Sequence, residues 1–393
     1  MIVGIVAALI GLPPAAVGCY QLLLAFAAFR VSEVDVSAPP ATRLAVVVPA
    51  HDEEVMIERC TRSLREQEYP EDLFEVVVVA DNCTDSTAER AERAGARVLV
   101  RDEPADRGKG RALRWAFDRL SRESPAPDAF VVVDADSIAS PLLLARLVQP
   151  FERGAAAVQG ESLLVAAGSP ASTFRAAAFL LINRVRPAGR TALGRPVRLA
   201  GNGMLLGREL MAEHPWHAFS STEDYEYSLE LQSAGVGIAF ARGAVVESPT
   251  APTAAAAAEQ QLRWEGGKLH FVRTRLPALL ARALRERRGD LLDGALEVAV
   301  PPLGVLVAVS GLGAAAVALL VALGPAPVWA LAPWLTAVVA VPLYVLVGLR
   351  AGRAPASAYR AVALAPLFLL AKLRHARRFA SYRADAWVPT QRT

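Results

Sequence analysis

The chain has 393 residues, 53% of them hydrophobic, with 42 Lys and Arg against 39 Asp and Glu. That length holds one large domain or two, and the net charge of +3, carried nearly all by Arg beside apolar stretches, suits anionic lipid headgroups better than nucleic acid. Cys19, Cys60 and Cys83 have neither zinc-ligand nor disulfide spacing and read as reduced bystanders, and His51, His214, His217, His270 and His375 have no ligand spacing, so neither set marks a metal scaffold.

Residues 2–29 carry no charged side chain, enough to cross roughly 30 Å of hydrocarbon in spite of Pro13-Pro14. The start lacks the basic residues of a signal peptide, so residues 1–30 read as a retained transmembrane helix. From residue 43 to about 250, strands and helices alternate. A strand over 44–48 is expected to stop at Pro49, and a helix to start near Asp52 with Ile57, Cys60 and Leu64 on its inner face. A strand over 76–79 runs into Ala80-Asp81-Asn82-Cys83-Thr84-Asp85; Ser86-x-x-Glu89 predicts a capping box and Gly95 a helix end. After a strand over 97–100, Gly108-Lys109-Gly110 precedes a helix over 111–120, and a strand over 130–133 ends in Asp134-Ala135-Asp136. Further on, Glu223-Asp224 opens a helix over 225–233 closed by Gly235, and Ala-rich 254–258 begins another that leads to Gln260. The pattern predicts an α/β domain: a mostly parallel mixed sheet covered by helices, with polar motifs at the strand ends.

Residues 251–294 are expected to form interfacial helices. Residues 298–323 and 327–349 read as two more spans joined by Gly324-Pro325-Ala326, a helical hairpin within 295–350. The apolar stretch 361–371 is short for a span and is flanked by Arg350, Arg353 and Arg360 on one side and Lys372, Arg374, Arg377 and Arg378 on the other. By the positive-inside rule both flanks are cytoplasmic, which makes 351–393 an interfacial segment and basic tail. The topology closes as a multi-pass inner-membrane protein with its N-terminus outside and the 43–250 domain in the cytoplasm, in agreement with Arg30 and Arg43.

Asp134 and Asp136 emerge one residue apart from a buried strand, where hard oxygen ligands suit a divalent cation bridged by phosphates. Alone, the pair would read as an acidic turn capping the next helix. It is not alone: VVVPAHDEE at 46–54, VADNCTDST at 79–87, GKGRAL at 108–113, DAD at 134–136, GNGMLL at 201–206, TEDYE at 222–226 and QQLRW at 260–264 follow in order. This order, over about 44–264, resembles the family-2 glycosyltransferases, inverting membrane enzymes of GT-A fold that include β-glycan synthases and ceramide glucosyltransferase-like enzymes.

The resemblance implies that Pro49, Ala50 and Glu53 hold the uridine together with Asp81, which lies near the base. Ala80 stands where the family commonly has a further acid. Lys109 would approach a phosphate or the ribose, although a lone loop lysine is ordinarily solvated. Asp134 would face the ribose and Asp136 would hold Mg²⁺ or Mn²⁺. Asp224 matches the general base, and one carboxylate suffices for single-displacement inversion; its neighbour Glu223 falls on the acceptor or diphosphate side, or else caps the helix. Gly201, Asn202 and Gly203 match the acceptor-side loop, the alternative being a plain turn. In Gln260, Arg263 and Trp264 the Arg suits a diphosphate and the indole a sugar ring. An interfacial helix with a snorkelling Arg and an anchoring Trp would use the same residues.

The expected activity is transfer of a sugar from a UDP-sugar donor to a glycan or lipid acceptor at the cytoplasmic membrane face, in polysaccharide or glycolipid synthesis. The alternative is a non-processive glucosyltransferase acting on a ceramide- or polyprenyl-type lipid. Processive synthesis needs a glycan channel, and three spans are few for one, so it would call for a homo-oligomer or a partner subunit. A nucleotide-sensing membrane protein or transporter is the reading from another class; against it, the spans carry almost no charge, with Glu297 at the edge of one.

Overall fold

The computed structural model describes residues 1–364 apart from Ser221 and Pro252. By compactness the chain divides into two units: a sheet unit, Ser32–Ala167 with Arg195–Ala295, and an apolar-helix unit, Met1–Val31 with Gly168–Gly194 and the described residues from Leu296 onward. The basic tail and most of the 361–371 stretch lie outside the described residues.

The sheet unit contains strands β1 (Leu44–Ala50), β2 (Phe74–Asp81), β3 (Arg97–Arg101), β4 (Ala129–Val132), β5 (Ile138–Ala139), β6 (Ala157–Val165), β7 (Met204–Gly207) and β8 (Ile238–Pro249). Their order is β3-β2-β1-β4-β7-β6-β8-β5. The first four are mutually parallel, β7 is antiparallel to both β4 and β6, β8 runs parallel to β6, and β5 is antiparallel to β8. The Val-rich runs of β1, β2 and β4 are buried on both faces, as strands covered by helices on each side should be. Val46, Val48, Val76, Val78 and Val131 share one core with Ile57, Cys60, Leu64, Leu143 and Leu147. Each such side chain removed from water contributes about 1.5–3 kcal/mol. The parallel register, Ala50↔Ala80 and Val47↔Val132, brings the carboxyl ends of β1, β2 and β4 to one edge.

Three local expectations give way to specific contacts. The first strand does not stop at Pro49 but runs to Ala50. Val133 N–H donates to the Val47 carbonyl, so Pro49, two residues on, faces the same side, where the β4 ladder has already ended and a missing donor costs nothing. The helix expected from Asp52 begins at Ile57, because Asp52 sits at φ 51°, outside helical space. The Ser86–Glu89 capping box does not form: Ser86 is the N-cap of helix Thr87–Arg93 but makes no side-chain cap bond, and the Asp85 carboxylate takes the Thr87 N–H at 2.9 Å instead.

In the apolar-helix unit, Ile2–Arg30, Leu303–Ala322 and Val328–Ala351 are long and apolar enough to cross a membrane. The middle one starts at Leu303, not at 298, since Pro301-Pro302 breaks the chain and Pro302 forms the N-cap. Gly4, Gly11 and Gly18 recur every seven residues, so they fall on one face of the first helix; they meet Pro327, Trp334, and Ala340 with Val341. Trp334 fills the seam, donating its indole N–H to the Ala7 carbonyl at 2.9 Å while lying against Gly313.

Residues 168–194 belong to this same unit as helices Pro170–Leu180 and Arg186–Ala192 joined by a π-helical turn, Leu181–Val185. Gly189 packs on the Leu24 carbonyl, and Arg186 and Arg190 hold Glu297 at 2.6 and 3.3 Å, with Tyr20 bonded to Arg190 at 2.8 Å. The acid at the edge of a span is thus neutralised by two buried cations. Gly313→Leu drives its side chain into the Trp334 ring. It should cost about 1–3 kcal/mol, read as a lower thermal midpoint of the detergent-solubilised protein; an unchanged midpoint would contradict the seating of Trp334.

Candidate active site

At the shared strand edge the loops after β1 and β2 close on each other. Asp52 accepts from Thr84 N at 2.7 Å, Asp85 from Glu54 N at 3.1 Å, and Thr87 Oγ1 from Glu53 N at 2.8 Å; Cys83 Sγ lies 3.5 Å from the Ala50 carbonyl. Among the described residues, Asp52, Cys83 and Asp85 bring their ligand atoms within 4.8 Å of one another. The two carboxylates are engaged by the N–H groups that close the loops, so the cluster locks the two loops together. Asp81 is 5% exposed, and its Oδ1 accepts from Arg101 at 2.6 Å and Asn82 at 2.9 Å. His51 Nδ1 lies 2.7 Å from the Asp81 carbonyl, and Arg101 continues to Glu103 and Asp106, both at 2.8 Å. These bonds tie the loop after β1, which follows Pro49 and Ala50 and contains Glu53, to the segment that carries Asp81.

Lys109 is the first residue of helix Lys109–Leu120, entered through Gly108 at φ 125°. Its ammonium lies 2.6 Å from Asp134 Oδ1, 2.7 Å from the Gly201 carbonyl and 3.5 Å from Glu223 Oε1. Burial pulls the Lys109 pKa down, but Asp134 and Glu223 raise it further, and the net movement is upward. Gly110 has no Cβ because the Ala218 carbonyl occupies that place.

The GNG loop is fixed from below. Asn202, 3% exposed, accepts the Asp134 N–H at 3.1 Å and donates to Ser137 Oγ at 2.8 Å. Gln159, buried in the middle of β6, accepts from Ala200 N at 2.8 Å and donates to the Asn202 carbonyl at 2.8 Å and the Gly203 carbonyl at 3.2 Å. Gly201 and Gly203 stand at φ 72° and 65°, so this is the turn the glycines permit, now pinned to the DxD strand.

Glu223 and Asp224 open helix Glu223–Ser233. Asp224 Oδ2 lies 3.4 Å from Arg198 Nη1, and the Asp224 carbonyl accepts Ser228 Oγ at 2.6 Å, which in turn receives Leu199 N at 2.8 Å. Burial raises the Asp224 carboxyl pKa, with Arg198 pulling back; burial likewise raises Glu223, against Lys109 and with the help of Asp224. Asp136 accepts from Ser137 Oγ at 3.4 Å. Gln260, Arg263 and Trp264 occupy one face of helix Ala254–Thr274, where Trp264 is exposed; one turn on, Lys268 lies 5.6 Å from the centroid of the Tyr225 ring.

The structure thus joins Lys109, Asp134, Gly201, Asn202 and Glu223 directly and links Asp224 through Arg198. The sequence reading missed Arg101, Gln159 and Arg198. Gln159, Glu161 and Ser162 interrupt an otherwise apolar strand, a signal that could have drawn notice; Arg198 lies in no recognisable pattern.

A family profile described as "Glycosyltransferase like family 2" matches residues 39–267, which include all of these groups. "Probable glycosyltransferase YdaM" of Bacillus subtilis is 25% identical over 238 residues, covering 58% of this chain and 56% of that protein. "Beta-monoglucosyldiacylglycerol synthase" of Trichormus variabilis is 30% identical over 237 residues, covering 58% and 50%. The chain spans about half the length of the curated relatives it matches. Among solved structures, a mannosyltransferase from Pyrobaculum calidifontis in complex with GDP-Man and Mn²⁺ aligns with TM-score 0.48 and 18% identity over 88% of this chain and 98% of that one.

Gln159→Leu leaves the Ala200 N–H and the Asn202 carbonyl without this partner inside the protein. At about 1–3 kcal/mol for each buried group so orphaned, the thermal midpoint should fall and transfer should weaken with it. A variant as stable and active as wild type would show that the GNG loop does not depend on β6.

Proposed function

The chain belongs to the family-2 glycosyltransferases, with a GT-A sheet domain, and on that footing we propose that it transfers a sugar from a UDP-sugar, with inversion, to a lipid or glycan acceptor at the cytoplasmic face of a membrane. The observation that carries the reading is Lys109, whose ammonium connects Asp134 of the donor motif to Glu223 and the Gly201 carbonyl, beside the half-buried carboxylate of Asp224. The walls formed by Pro49, Ala50, Glu53 and Asp81 would receive the uridine, and Gly201, Asn202, Gly203, Glu223, Gln260, Arg263 and Trp264 would line the acceptor and diphosphate side.

In the proposed mechanism Asp224 accepts the proton of the acceptor hydroxyl as its oxygen bonds to the anomeric carbon from the face opposite the leaving group. The bond from that carbon to the diphosphate breaks, UDP departs with the electron pair, and the configuration inverts. Lys109 holds Asp134 and the acceptor loop in place through the step. The donor set at the DxD fits a hard cation: its carboxylates stand at a strand end, Asp134 is paired with Lys109, and Asp136 offers oxygen ligands. Asp136 would hold Mg²⁺ or Mn²⁺, which when bound supplies positive charge to the departing diphosphate.

A single transfer to a membrane lipid is favoured over polymerisation by the three candidate spans among the described residues, few for a channel in one subunit. The names of the glucosyldiacylglycerol synthase relatives point the same way. Arg30, Arg43, Arg350, Arg353 and Arg360 support the cytoplasmic assignment.

Asp224→Asn should keep UDP binding and lose transfer by roughly two to four orders of magnitude; loss of UDP binding as well would make Asp224 a donor-side residue. Because the base must be ionised and burial raises its pKa, log kcat/KM should fall on the acid side through a midpoint above the ordinary value of 3.8, with a plateau above it. An acid limb at or below that value would contradict the assignment of the half-buried Asp224 as the base. Asp136→Ala should fold normally yet lose metal-dependent transfer, and wild-type activity undiminished by excess chelator would overturn the metal role.

A further inference from the structure

Arg198 precedes the GNG loop by three residues, and no sequence motif marks it. Its side chain is 14% exposed. Nη1 donates to the Leu199 carbonyl at 2.8 Å and lies 3.4 Å from Asp224 Oδ2, and the guanidinium carbon stands 4.5 Å from the centroid of the Tyr225 ring. A carbonyl, a carboxylate oxygen and an aromatic ring thus fix one planar cation, a combination that suits Arg and not Lys. The Tyr225 ring also faces the Lys268 ammonium, and Lys268 follows Trp264 by one helical turn.

We propose that Arg198 is a positioning residue for Asp224, gripping one carboxylate oxygen so that the ionised base meets the acceptor hydroxyl in one orientation, while Tyr225 ties the helix of Gln260, Arg263 and Trp264 to the same point. The inference rests on Asp224 being the general base. The charged groups around that carboxylate are Arg198, Lys109 and Glu223, with Lys268 on the neighbouring ring. Lys109 is engaged by Asp134 and Glu223, whereas Arg198 pairs with Asp224 itself. Without that guanidinium the half-buried carboxylate would hold its proton to higher pH.

The test uses the full chain in detergent. Carboxyl titration of Asp224 is followed by infrared difference spectroscopy, its band assigned by loss in Asp224→Asn, beside the pH profile of transfer with the UDP-sugar and lipid that the wild type turns over. In Arg198→Met the Asp224 midpoint and the acid limb should both rise by about one pH unit. Turnover at neutral pH should fall on the order of tenfold, with the donor KM unchanged. Arg198→Lys should restore most of the midpoint and little of the turnover, since it returns the charge without the planar hold. An unmoved midpoint in Arg198→Met overturns the proposal. If that variant does not fold, wild-type turnover in Arg198→Lys overturns it. Wild-type transfer by Asp224→Asn would instead remove the general-base reading itself, an outcome distinct from an essential Asp224 whose titration ignores Arg198.

Discussion

One ammonium group touches both sides of the site. Lys109 reaches Asp134, which follows β4 on the proposed donor side, and also Glu223 and the Gly201 carbonyl, on the proposed acceptor side. Three glycines shape the backbone around it. Gly108 turns the chain at φ 125°, Gly110 admits the Ala218 carbonyl against the first helical turn, and at Gly201 a Cβ would lie 3.4 Å from the Lys109 nitrogen. Around this node, Asp134, Asp136, Glu223 and Asp224 outnumber Lys109 and Arg198. Such a gathering of carboxylates accords with the proposed divalent cation.

The sheet is what delivers these groups to one place. Parallel pairing of β2, β1 and β4 aligns their carboxyl ends, and valines buried on both faces hold the register. The antiparallel half then supplies the proposed acceptor side. β7 lies next to β4, so the GNG turn that precedes it falls beside the DxD, and Gln159 from β6 satisfies the backbone of that turn. The DxD is therefore positioned by strand ends, and the GNG loop by side-chain hydrogen bonds from a neighbouring strand.

Different physics governs the apolar-helix unit. With little hydrophobic force to gain between helices in lipid, close approach and buried polar pairs must hold them. The seven-residue glycine spacing of the first helix admits Pro327, Trp334 and Val341, and the Glu297 carboxylate is shared by Arg186 and Arg190. These arginines come from an excursion between β6 and β7 that groups with the apolar helices.

By itself the sequence determined what local pattern can determine: the buried strands, the apolar helices, the order of the seven motifs and the carboxylates they carry. It misjudged the points where local rules met a tertiary demand. Pro49 stays in its strand because the adjacent ladder has ended, Asp52 leaves helical space to bind Thr84, and Asp85 displaces the expected Ser86 cap. Arg101, Gln159 and Arg198 each act on a residue 20 to 43 positions away, and of the three only Gln159, a polar residue in a mostly apolar strand, carries a local sign of it. Periodicity and motifs report which groups the chain carries, but strand order and burial decide which of them share an oxygen, a proton or a charge, and only the folded sheet sets those.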